Sequence, residues 1–117
     1  HGIKETVELI EAETELTTLA VATEGYFGTL PDALLMYLHD LKVDNLYLEG
    51  VGYPIEKIPK SFADRASNFD KKWLVVNSHR MNLKLDQKYL VAEYSRPFGA
   101  PALQIWDITE NFESYIK

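Results

Sequence analysis

Cysteine is absent from this chain. That absence removes disulfide scaffolds, thiolate zinc sites and thiol nucleophiles together. It leaves the compartment open, because many exported domains also lack cysteine. Long apolar runs are missing too, and no stretch approaches the roughly 18 consecutive apolar residues of a membrane span. The opening His1-Gly2-Ile3-Lys4-Glu5 has neither the basic region nor the apolar core of a signal peptide. Basic residues are scarce, 12 against 18 acids, giving a net charge of −6. Nucleic acid is a poor partner for such a chain, since phosphate binding needs clustered Lys and Arg. Six glycines and five prolines are spread too thinly to form a linker.

What is present is a length of 117 residues, of which 46% are hydrophobic and 12% aromatic. A chain of this size buries roughly two thirds of its unfolded surface and forms one domain. It lies far from the composition of disordered segments. Residues 1–117 are therefore expected to form a single α/β domain. Because the first residue is not methionine, the chain reads as a processed product or a piece excised from a larger protein, with His1-Gly2 as a cloning scar.

Hydrophobic spacing orders the elements. Ile3, Val7 and Ile10 follow helical spacing, with Glu5, Glu8, Glu11 and Glu13 off that stripe. Leu19-Ala20-Val21-Ala22 reads as a buried strand that Gly25 stops. Thr29, Pro31 and Asp32 suit the start of a helix carrying Leu34, Leu35, Leu38 and Leu41. Residues 45–51 form a second strand, and Ile58, Phe62 and Ala66 share one face of a short helix begun near Pro59. Residues 73–77 are a third strand, again continuously apolar. The order α-β-α-β-α-β, with strands buried on both faces, predicts a parallel sheet covered by helices. Residues 89–94 and 102–108 then suggest a long-looped hairpin adding an antiparallel edge. Residues 111–117 are a short tail helix or a frayed end. The expected fold is a small three-layer, Rossmann-like α/β sandwich, mostly parallel, without a dinucleotide fingerprint.

Three constellations could carry chemistry. Thr23-Glu24-Gly25-Tyr26-Phe27-Gly28-Thr29 joins a strand's C-terminal end to a helix start, where α/β folds bind ligands. It is neither G-x-G-x-x-G nor a phosphate loop, so a turn whose glycines relieve strain competes with a binding role. Asn77-Ser78-His79-Arg80 follows the third strand and belongs at the same sheet end as Glu24 and Tyr53. Ser78, His79 and Glu24 invite a hydrolase reading, but the nucleophile elbow G-x-S-x-G is missing, and a solvated polar loop is the plainer account. Aromatics form the third feature: Tyr26, Phe27, Tyr53, Trp73, Tyr89, Tyr94, Phe98 and Trp106. Those at the loop edge could dock a sugar or a lipid headgroup, whereas others belong to the core. Arg96 adds a cation for a phosphate or carboxylate, or closes a turn. His39 with Asp40 reads as helix surface, and no histidine spacing suits a metal.

The run from Thr23 to Leu38, read as TEG-x-FG-x-LP-x-x-L-x-x-YL, resembles the soluble C-terminal portion of bacterial polytopic glycosyltransferases similar to dolichyl-phosphate-mannose–protein mannosyltransferases. Glu49 to Ile55, Trp73 to Ser78, Tyr94 to Pro97 and the strand from Ala102 to Ile108 keep the same order of landmarks, so the likeness spans most of residues 19–108. In that family a multi-span membrane region transfers sugar from a polyprenyl-phosphate donor, with its acids on a loop that nothing here matches. The resemblance therefore implies no catalytic residue, metal or cofactor in this chain. It implies an extracytoplasmic appendage partnered with its own transmembrane region, meeting a polyprenyl-phosphate sugar or a glycan acceptor through Glu24, Tyr26, Tyr53, His79 and Arg96. The competing expectations are a free-standing acidic binding or immunity-type protein with a basic partner, and a small hydrolase.

Overall fold

The computed structural model describes residues 3–23, 45–50, 57–77, 85–95, 102–110 and 112–116. Helix α1 (Ile3–Leu16) opens the chain. Its buried stripe contains Val7 and Ile10, as the spacing requires, and also Thr6 and Thr14. A buried threonine in a helix can return its hydroxyl proton to its own backbone. Thr14 Oγ1 does so, donating to the Glu11 carbonyl at 2.9 Å. The glutamates Glu5, Glu8 and Glu15 lie exposed on the outer side.

Among the described residues five strands form one sheet: β1 (Leu19–Thr23), β2 (Leu46–Gly50), β3 (Lys71–Asn77), β4 (Leu90–Tyr94) and β5 (Leu103–Asp107). The order across the sheet is β2-β1-β3-β5-β4. β1 pairs in parallel with β2 and β3, whereas β5 pairs antiparallel with β3 and β4. The pairings thus divide evenly between the two kinds, although β4, antiparallel to β5, points the same way as β1, β2 and β3. The expected hairpin is present, with β5 against the parallel strands and β4 at the edge. A bulge interrupts the β4–β5 register between Leu90 and Ala92.

β1 and the centre of β3 are buried throughout, matching their continuous apolar sequence. β2 departs from that expectation, since every residue in it is only half-buried. It stands at the edge of the described sheet, and an edge strand lacks a neighbour to cover one side.

Helix α2 (Lys60–Ala66) precedes β3. Pro59 occupies its N-cap with φ −61° and ψ 143°. A proline there loses no helical hydrogen bond, because the first turn's N–H groups have no helical partner. Ile58, Phe62 and Ala66 are all fully buried, so the predicted apolar face is the one that packs. Burial of a side chain such as Phe62 contributes about 1.5–3 kcal/mol.

Side chains alternate across a strand, so the sheet feeds two cores. Leu19, Val21, Trp73, Val75, Leu103 and Ile105 pack with Val7 and Ile10 of α1. Ala20, Ala22, Leu74, Val76 and Trp106 pack with Ile58, Phe62 and Ala66 on the other side. The chain is therefore a mixed α/β protein whose described helices contribute to different cores. A 3-10 turn (Gln87–Tyr89) leads into β4, its start capped by the Asp86 carboxylate, which accepts from the Lys88 amide at 3.1 Å.

The tail is tied down rather than frayed. A second 3-10 turn (Phe112–Tyr115) places Phe112 in the α2-side core. Ile116 then bridges to Ile58, whose amide donates to the Tyr115 carbonyl at 2.7 Å. The helix expected to carry Leu34, Leu35, Leu38 and Leu41 lies outside the described residues. No helix among the described residues is long and apolar enough to cross a membrane.

Candidate functional site

The strand directions bring several chain ends to one end of the sheet. β1 ends at Thr23, aligned with Gly50 at the end of β2 and with Val75 of β3. β3 runs on to Asn77, opposite Leu103 at the start of β5, and Leu103 also faces Tyr94 at the end of β4. Since β1 lies between β2 and β3, the strand order steps outward from β1 to β2 and then back across β1 to β3. In an open α/β sheet a ligand crevice forms at such a switch point, outside the C-terminal ends of the strands.

Each side chain at this end has a definite setting. Thr23 is fully buried, and its hydroxyl donates to the Glu49 carbonyl at 3.5 Å, tying the ends of β1 and β2. Tyr94 is half-buried beside the first turns of α1. Burial pushes its hydroxyl above the ordinary value of 10.0, and the carboxylates of Glu5 and Glu8 push it the same way. The N-terminal half of α1 therefore brings negative charge to the edge where β4 ends.

Glu24, Tyr26, Tyr53, His79 and Arg96, the five expected ligand contacts, lie outside the described residues, as do Ser78 and Phe98. Glu24 directly follows Thr23, and the segments containing Tyr53, His79 and Arg96 follow the described ends of β2, β3 and β4. Of the other aromatics, Tyr94 stands at this end. Trp73 and Trp106 are core residues on opposite faces of the sheet, only 4% and 6% exposed, and so contribute nothing to a rim. Tyr89 precedes β4 and belongs to the far end, where its hydroxyl donates to Glu110 at 3.0 Å.

One constellation escaped the sequence reading. On β2, Tyr47 and Glu49 point to the same side, and the Tyr47 hydroxyl donates to Glu49 Oε1. The Arg65 guanidinium of α2 lies 6.0 Å from the centre of the Tyr47 ring. Phe62 stacks on that ring at 5.9 Å, and Phe69 tilts toward it at 6.1 Å. Burial, followed by the Glu49 carboxylate, raises the Tyr47 hydroxyl above 10.0, while Arg65 opposes the rise. The arrangement fixes a carboxylate near the C-terminal end of β2. Its only signal in sequence is the alternation Tyr47-x-Glu49, which does not disclose Arg65 as a neighbour.

Compared with known protein families, with curated proteins and with solved structures, the chain matches none.

Proposed function

We propose that this chain is the extracytoplasmic, non-catalytic domain of a membrane glycosyltransferase that uses polyprenyl-phosphate sugars, a mannosyltransferase-like enzyme. Its fold in this reading is a small three-layer, Rossmann-like sandwich with a predominantly parallel sheet. The supporting observation is the convergence of four strand ends, Thr23, Gly50, Asn77 and Tyr94, at one end of the sheet. The landmark segments carrying the resemblance adjoin these same ends, in the same order. The proposed work of the domain is to shape the donor or acceptor entrance beside its own transmembrane region. Glu24, Tyr26, Tyr53, His79 and Arg96 supply the contacts: tyrosine rings for sugar faces, Glu24 for hydroxyls, and Arg96 with His79 for phosphate.

The gene sequence upstream of His1 provides the first test. The reading requires several apolar segments of about 20 residues there, and their absence would sink it. In the full-length enzyme, the double variant Arg96→Ala, His79→Ala should raise KM for the lipid-linked donor and leave kcat near its original value. A fall in kcat at unchanged KM would place these residues in the chemistry instead.

The exposed glutamates Glu5, Glu8 and Glu15 of α1 favour a second reading, a free-standing acidic protein that binds a basic partner. Copurification of a basic protein, together with a reading frame devoid of membrane segments, would decide for it.

A further inference from the structure

Opposite the strand ends just described, where β3 begins and β5 has ended, a groove of about 990 Å³ runs between α2 and the C-terminal 3-10 turn. Lys60 and Asp64 of α2, Lys72 of β3 and Glu113 of the final turn all line it. We propose that this groove is a second binding site, and that its ligand is a neutral oligosaccharide.

The charges argue for neutrality. Two ammonium groups and two carboxylates balance, so the groove selects neither an anion nor a cation. Lys60, Asp64 and Glu113 make no ion pair with described residues. The Lys72 ammonium lies 5.3 Å from the centre of the Phe112 ring, which holds it at the groove. Ammonium groups only donate hydrogen bonds and carboxylates only accept them. A row of sugar hydroxyls, each able to do both, satisfies the two kinds together. Ser67 adds a hydroxyl whose own proton is already given to the Asp64 carbonyl at 2.8 Å, leaving it an acceptor. Ile116, half-buried, supplies apolar surface for the C–H face of a sugar ring. The volume lies at the upper end of the range of small-ligand sites, which suits several linked sugars better than one. This inference does not depend on the proposed membrane enzyme, since the groove lies at the other end of the sheet.

The 117-residue chain, labelled with ¹⁵N, should be titrated with neutral mannotriose, glucotriose and chitotriose, and separately with inorganic phosphate and an uncharged peptide. Saturable shifts of the Asp64, Ser67 and Glu113 amides with at least one trisaccharide are expected. The double variant Asp64→Asn, Glu113→Gln replaces exposed side chains and should keep the thermal melt while weakening binding about tenfold or more, as lost charge-assisted hydrogen bonds predict. Saturation by phosphate or peptide but by no trisaccharide would overturn the ligand class. The absence of any saturable response would overturn the site. Trisaccharide shifts confined to Thr23, Asn77 and Tyr94 would also overturn it, while supporting the reading of the opposite end.

Discussion

Toward α1 the sheet presents Leu19, Val21, Val75, Leu103 and Ile105, branched aliphatic side chains that close on Val7 and Ile10, with the Trp73 ring buried among them and Tyr94 half-buried against them. Toward α2 it presents Ala20 and Ala22 from β1, and the room above them is filled by rings: Tyr47, Phe62, Phe69 and Phe112. Phe62 is the hinge of that second core, stacked on Tyr47 and edge-on to Phe112 at 6.4 Å. Small residues on a central strand thus allow bulky ones to converge from the edge strand, the helix and the tail. Both sides draw on segments far apart in sequence, from Val7 to Ile105 on the aliphatic side and from Ala20 to Ile116 on the aromatic one. Polar groups enter on this side too, through Tyr47 with Glu49 and Arg65, and through Lys72 over Phe112.

The sharpest way to break this comparison is to remove one side chain from each face. Phe62→Ala should cost about 3–5 kcal/mol and Ile10→Ala about 2–5 kcal/mol in urea denaturation, with Phe62 the larger, because aromatic truncation empties more volume. If Ile10→Ala proved the more damaging, the aromatic side would not be the organising core. Tyr47→Phe keeps the stacking and removes the hydroxyl, and should cost about 0.5–1.5 kcal/mol. A cost as large as that of Phe62→Ala would mean that Glu49 depends on this bond far more than its half-buried setting implies.

Alkaline titration sharpens the same contrast. Tyr47, Tyr94 and Tyr115 all have hydroxyls raised above 10.0, each chiefly by burial. The unfolded chain therefore loses these protons first. Their contribution is fully present below pH 10.0 and is lost as pH rises through the higher folded values. Melting temperature followed from pH 9 to pH 12 should hold and then decline beyond about 10. Tyr47 and Tyr115 belong to the aromatic side, so Phe at those two positions should flatten the decline more than Phe at Tyr94. The smallest effect is expected at Lys71, whose ammonium lies 3.7 Å from Asp107 at the half-buried start of β3. Lys71→Met should change stability by less than about 1 kcal/mol, and that little should vanish in high salt.

The inner strands were the most legible part of both cores. Leu19 to Ala22 and Trp73 to Val76 are continuous apolar runs, and such runs signal strands buried on both faces. The recurrence of Ile58, Phe62 and Ala66 every four residues marked the inner face of α2. The half-burial of β2 was not legible, because its composition is that of an inner strand and only the strand order reveals an edge. Nor could alternation say that β5, rather than β4, would lie against β3. Thr6 and Thr14 read as polar, yet both are buried, and Thr14 is acceptable there because its hydroxyl is bonded within the helix. Ile116 meets Ile58 through a single bridge across 58 positions of sequence, a contact that no local period encodes. Of the candidate site, the sequence disclosed the strand ends from which its segments depart. It did not disclose the groove at the other end, whose lining comes from α2, β3 and the tail.

The insertion of β5 between β3 and β4 also governs the order in which the protein can be completed during synthesis. Among the described residues β4 has no sheet neighbour except β5, although it leaves the ribosome first. A nascent chain ending before Leu103 must leave the Trp73–Asn77 edge without its partner, and β4 without a place to dock. The sheet closes only when the last strand arrives and carries β4 with it. Long-range pairing of that kind is slow, and an open apolar edge invites pairing with other chains. The vulnerable moment in the life of this protein is therefore the interval between translation of β3 and release of β5.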